Sequence, residues 1–164
     1  AHTWRPDTFE SPGKGPVAAV APDGLERYRD LGSYSTTLPD AEAPDGDVPI
    51  ITTGIEVDRR QVDRAVEAGV DGIVLQTTGL GNAPEPVAEG VSDAIDAGVP
   101  VVVTSRCHAG RVAAVYGGGG GYALQQHGAV LAGDLTAQKA RIKLLLALSA
   151  AAPVSDAFTR RHEA

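Results

Sequence analysis

From Val48 onward, short apolar runs alternate with stretches of helical spacing, and this alternation limits what the chain can fold into. Val48 to Thr53 reads as a strand. Val62, Ala65, Val66 and Gly69 then recur at helical spacing, with Asp58 a candidate N-cap and Gly69 a stop. Gly72 to Gln76 is a second strand. A second helix runs from about Pro84 to Ala97, with Val87, Val91, Ala94 and Ile95 on one face and Gly98 at its end. Val99 to Thr104 is a third strand, Tyr122 to His127 a short helix, and Ala129 to Ala132 a fourth strand. Thr136 caps a helix through Ala150, whose Ala140, Leu144, Leu145 and Leu148 face inward while Lys139, Arg141 and Lys143 lie outside. Strand, helix, strand, helix at short spacing predicts right-handed crossovers and a parallel sheet. The uninterrupted Val101-Val102-Val103 suits a sheet covered on both faces. The expectation is an α/β fold of four parallel strands flanked by helices on both sides.

Residues 1–48 follow a different pattern, rich in Pro and Gly with few apolar runs. Val17 to Ala21 fits one strand, followed by a Pro22-Asp23-Gly24 turn. Leu38 to Pro49 reads as a linker. The chain begins at Ala1 without an initiator Met, which is consistent with an internal start.

Several function classes are disfavoured. A net charge of -7 argues against binding a phosphate backbone, so no nucleic-acid partner is expected. No stretch approaches the ~20 apolar residues of a membrane span, and no signal-peptide pattern opens the chain. Cys107 is the only cysteine, which precludes an intrachain disulfide and fits a cytoplasmic location. His2, His108, His127 and His162 show no metal-ligand spacing, so no metal is expected.

Ligands of open parallel sheets bind beyond the carboxyl ends of the strands. Here those ends read Thr52-Thr53-Gly54, Thr77-Thr78-Gly79 and Thr104-Ser105-Arg106. They either cap and finish the strands or form a polar rim for a ligand or another subunit, with Thr78, Ser105 and Arg106 as rim residues. In Thr77-Thr78-Gly79-Leu80-Gly81-Asn82-Ala83-Pro84, two glycines allow a tight turn before Pro84 opens a helix. Asn82 either caps that helix or projects across an interface. The full dinucleotide fingerprint is missing, since position 84 is Pro. Gly117 to Gly121 is a surface loop or a segment passing close to a partner chain; no Lys-Ser or Lys-Thr follows to make it a phosphate cradle. Cys107 and His108 are sequence neighbours and so a poor nucleophile–base pair. Cys107 is expected to be at least partly buried, and Arg111 to be solvated or structural.

Three segments resemble the C-terminal domain of the bacterial and archaeal L-asparaginases. They are Gly69-Val70-Asp71-Gly72-Ile73-Val74 with Gly79-Leu80-Gly81-Asn82, then Thr104-Ser105-Arg106-Cys107-His108-Ala109-Gly110-Arg111-Val112, and Gly128-Ala129-Val130-Leu131-Ala132-Gly133-Asp134-Leu135-Thr136-Ala137-Gln138-Lys139-Ala140-Arg141-Ile142-Lys143-Leu144. The last is the most specific. Ala1-His2-Thr3-Trp4-Arg5-Pro6-Asp7-Thr8-Phe9-Glu10-Ser11-Pro12 looks like the segment that follows the family's catalytic lysine.

The resemblance implies a three-layer, Rossmann- or flavodoxin-like C-terminal domain over 49–164, a linker over 31–48 and the tail of an N-terminal catalytic domain over 1–30. It implies hydrolysis of L-asparagine to L-aspartate and ammonia, without metal or cofactor, by a homodimer or homotetramer. The family's threonine nucleophile and its Thr-Asp-Lys set belong to the N-terminal domain, so the resemblance places them upstream of Ala1 and implies an inactive fragment. Asn82, with Gly81 beside it, occupies the Gly-x-Gly-Asn position that the family lends to the neighbouring subunit's site. The secreted branch adds an acidic residue after the Ser-Arg motif; here Ala113-Ala114-Val115-Tyr116 carries no carboxylate. That departure points to the type I-like branch or to its relative, the D subunit of the archaeal Glu-tRNA(Gln) amidotransferase. A non-enzymatic α/β interaction domain is the remaining alternative.

Overall fold

A computed structural model describes residues 4–11, 15–29 and 38–159, which fall into two compact units. In the first, β1 (Ala18–Ala21) and β2 (Gly24–Arg27) form an antiparallel hairpin with Val20 opposite Leu25. The first strand and its turn match the sequence pattern. The second strand had no visible signal, because Gly24-Leu25-Glu26-Arg27 carries a single apolar side chain.

The second unit contains β3 (Ile50–Thr52), α1 (Arg60–Glu67), β4 (Ile73–Thr77), α2 (Glu85–Asp96), β5 (Val101–Ser105), α3 (Gly121–Gln126), β6 (Val130–Leu131), α4 (Ala137–Ser149) and α5 (Val154–Phe158). Its four strands are parallel and lie in the order β3-β4-β5-β6. Because that order is sequential, three crossovers of one hand must all pass over the same face. Accordingly α1, α2 and α3 cover one face, where Val62, Val87, Val91 and Leu124 pack on Ile51, Leu75 and Val103. The chain then returns through α4 and α5, whose Ala140, Leu144 and Phe158 pack on Val74 and Val102. Alternate residues of β4 and β5 therefore enter opposite clusters, as the two-residue period of a strand requires, and both clusters are buried.

Local chemistry sets the helix ends. Gly69 takes φ +75 just past α1, a conformation a side chain would resist. Arg59, not Asp58, holds the N-cap position of α1; Asp58 acts one residue earlier, its Oδ1 accepting from the Arg60 N–H at 3.1 Å. Thr136 caps α4 by accepting from Lys139 N at 3.5 Å.

Two basic residues expected outside on α4 turn inward instead. Arg141 Nε donates to the Val48 carbonyl at 2.6 Å, and Lys143 Nζ lies 5.2 Å from the centre of the Phe158 ring. Leu38 also packs against the α4 side of the core, and Asp47 N donates to Asp71 Oδ2 at 2.7 Å. The described part of the linker thus lies against the unit; its residues 31–37 fall outside the described residues.

Candidate functional site

The carboxyl ends of the strands form one rim. The register sets Thr52 beside Gln76, Gln76 beside Thr104, and Thr77 beside Ser105. Most of the hydroxyls are consumed within the sheet. Thr77 Oγ1 donates to the Thr104 carbonyl at 2.6 Å, Thr104 Oγ1 to the Leu75 carbonyl at 3.4 Å, and Thr52 Oγ1 to Gln76 Oε1 at 2.9 Å. Thr53, only 1% exposed, keeps its Oγ1 without a partner.

Ser105 and Thr78 serve as struts. Ser105 Oγ donates to the Gly79 carbonyl at 2.7 Å and accepts from Cys107 N at 3.1 Å. Thr78 Oγ1 donates to the Asn82 carbonyl at 3.0 Å, within a bridge that pairs Thr78 with Asn82. The chain turns back between them, with Gly79 at φ +52 and Gly81 at φ +117. The N-cap position of α2 belongs to Pro84, and Asn82 does not cap the helix through Oδ1: that atom is buried without any hydrogen-bond partner. A buried acceptor left unpaired costs about 1–3 kcal/mol, so the turn holds a polar group it does not satisfy.

The run Gly117 to Gly121 closes the turn from below. Ala83 N donates to the Gly119 carbonyl at 2.8 Å, and Ala113 N to the Leu80 carbonyl at 2.8 Å. A Cβ on Gly119 would run into the Ala83 carbonyl, and one on Gly121 into the Ala113 carbonyl. The second half of the run is therefore packed against the chain's own backbone. Gly117, by contrast, has open space around it. In sequence these two kinds of glycine look alike.

Arg106 is exposed, its Nη1 reaching over Gly54 within 3.5 Å of where a Cβ would stand. Cys107 is exposed, not buried as its residue type suggested, because it sits in the loop beyond β5. The Ser105 hydroxyl, whose one proton is shared between the Gly79 carbonyl and the sulfur, and then the Gly79 backbone, with the Arg106 charge nearby, hold its thiol below the ordinary value. Around the rim Ile55, Leu80, Val115, Tyr116 and Tyr122 expose large apolar side chains. Among the described residues no group of three His, Cys, Asp or Glu could hold a metal ion, and no helix is long and apolar enough to cross a membrane.

The chain has known relatives. Residues 47–157 match the model of the glutaminase/asparaginase C-terminal domain. The chain belongs to that family. It is 35% identical over 148 residues to the D subunit of the glutamyl-tRNA(Gln) amidotransferase of Methanothermobacter thermautotrophicus, a match covering 87% of this chain and 33% of that one. It is 33% identical over 103 residues to an L-asparaginase of Bacillus licheniformis, covering 62% of this chain and 32% of that one. A probable cytoplasmic L-asparaginase from Campylobacter jejuni superposes with a TM-score of 0.76 at 25% identity, covering 93% of this chain and 51% of that one. The chain thus spans about a third of these curated relatives and half of the solved structure.

Proposed function

We propose that this chain is the C-terminal domain of an amidohydrolase that releases ammonia from L-asparagine, and that it lends Asn82 to an active site whose nucleophile lies outside these 164 residues. The observation that carries this is the buried, unpartnered Asn82 Oδ1 at the sheet's carboxyl rim. That acceptor has no donor within the chain, which fits a donor supplied by something that binds at the rim. The apolar side chains around it, Leu80, Tyr116 and Tyr122 among them, suit a neighbouring subunit that would close over the rim in a homodimer or homotetramer. The hairpin supports the same view from the other unit. Two strands alone are marginal in water, and its Val20 and Leu25 pair across the strands with both side chains exposed, as expected for the tail of a larger catalytic domain. A cytoplasmic setting suits the single thiol.

Assays on the full-length protein and on the 164-residue chain test the proposal. The full-length protein should release ammonia from L-asparagine, and the chain alone should not; ammonia released by the pure chain would refute the division of labour. In the full-length protein Asn82→Ala should raise KM by an amount equivalent to about 1–3 kcal/mol with kcat little changed. An unchanged KM would remove Asn82 from the site.

A second reading has its own support. Amidotransferase D subunits are among the similar curated proteins at 29% to 35% identity, those of two Halobacterium salinarum strains at 31% identity over 159 residues included. In that case the ammonia would pass to a partner acting on charged tRNA. Release of free ammonia and aspartate by the protein alone at full rate argues for the asparaginase; a rate dependent on a transamidating partner argues for the amidotransferase.

A further inference from the structure

We infer that Gly119 and Gly121 are positioning residues for Asn82: stripped of side chains, they let the backbone lie against the Asn82 turn and fix the backbone from which the Asn82 side chain projects. That Asn82 meets substrate rests on the function proposed above; that these glycines fix Asn82 stands on geometry alone.

The turn Gly79-Leu80-Gly81-Asn82-Ala83 is held from three directions. Thr78 closes it across its ends, with its hydroxyl on the Asn82 carbonyl at 3.0 Å. Ser105 ties the Gly79 carbonyl to the end of β5 at 2.7 Å. The third hold is the glycine run. Ala83 N, adjacent to Asn82, donates to the Gly119 carbonyl at 2.8 Å. On the other side of Asn82, a Cβ on Gly81 would stand 3.6 Å from the Gly121 Cα. Contacts to residues 81 and 83 bracket Asn82, so the glycine backbone sets where residue 82 stands.

Only glycine fits this arrangement. A methyl group on residue 119 would collide with the backbone of Ala83 and Pro84, at the start of α2. One on residue 121 would collide with the Ala113 carbonyl and stand 3.3 Å from that of Leu80. These obstacles are backbone atoms, which cannot rotate away as a flexible side chain would. At residue 119 the obstacle is the end of the turn itself; at residue 121 it is Ala113, whose N–H holds the Leu80 carbonyl of the turn at 2.8 Å, so both displacements reach the turn.

The test compares Gly119→Ala and Gly121→Ala with Gly117→Ala, where a Cβ meets nothing within 4 Å. In the 164-residue chain, the side-chain amide resonances of Asn82 should move in the first two variants and stay at the wild-type position in the third. In the full-length protein the first two should raise KM for L-asparagine about ten- to a hundredfold, the scale of a 1 Å misplacement, and add little to Asn82→Ala in the double variants. Folded Gly119→Ala and Gly121→Ala proteins with unmoved Asn82 resonances would overturn the inference, even with Asn82→Ala impaired. If Asn82→Ala itself leaves KM unchanged, the substrate role fails while the resonance shifts still decide the positioning. Hydrogen exchange on the unmutated chain covers the case in which the variants do not fold: the Ala83 amide should be protected like the core amide of Val103, and exchange at the rate of an open loop would overturn the inference.

Discussion

Thr78 and Asn82 hold each other at both ends of the turn: Asn82 N donates to the Thr78 carbonyl at 2.8 Å, and the Thr78 N–H and hydroxyl both donate to the Asn82 carbonyl at 3.0 Å. Replacing Thr78 by Val removes one of the two donors and keeps the shape. The Asn82 carbonyl retains the backbone bond, so no acceptor is orphaned and the loss stays near about 0.5–1.5 kcal/mol. In the full-length protein this predicts a KM rise of about two- to tenfold with kcat preserved. A Thr78→Val enzyme with wild-type KM, beside an impaired Asn82→Ala enzyme, would show that the hydroxyl is redundant.

The thiol of Cys107 gives a pH-dependent prediction. Its ionisation is pulled below the ordinary value by the Ser105 hydroxyl, the Gly79 backbone and the Arg106 charge. A lowered pKa means more thiolate at a given pH, and the thiolate is the nucleophile. Alkylation by iodoacetamide should reach half its limiting rate at a lower pH in the folded chain than in the same chain unfolded in denaturant. Ser105→Ala should move that midpoint upward, because it removes the largest cause. The alkylation rate as a function of pH decides this, and a midpoint at or above that of the unfolded chain would contradict it.

Much of this fold was legible because the core elements obey simple periods. The apolar run of β5 and the one-sided apolar face of α2 require a sheet covered by helices, and Thr136 announces the start of α4. What stayed hidden depends on partners distant in sequence. Arg141 looks solvated until Val48, 93 residues away, supplies a carbonyl. The five-residue α5 has too few residues for a period to show, and only the burial of Ala157 and Phe158 explains it. At the candidate site, the glycines around Asn82 marked the turn correctly. The function of the Gly117 to Gly121 run did not show, because glycine marks both a free loop and a backbone pressed against its neighbour. Likewise, the burial preference of cysteine gave no hint that Cys107 would stand in an exposed loop.

The core offers a last prediction on stability. Leu144 is fully buried on the α4 side of the sheet, and its Cδ2 stands 3.1 Å from where a Cβ on Gly72 would lie. Leu144→Ala should cost about 2–5 kcal/mol through lost burial and the cavity left behind. Gly72→Ala should cost about 1–3 kcal/mol for the opposite reason, since the added methyl meets Leu144 in a filled core. The two changes act on the same space, so they should not add. With the leucine truncated, the methyl added at residue 72 enters the vacated volume, and the double variant should be more stable than the sum of the single losses predicts. Some cost remains, because the same methyl stands 3.4 Å from the Pro100 carbonyl, which does not move with Leu144. Urea unfolding of the four proteins measures the coupling, and strict additivity would show that Gly72 and Leu144 do not share that space.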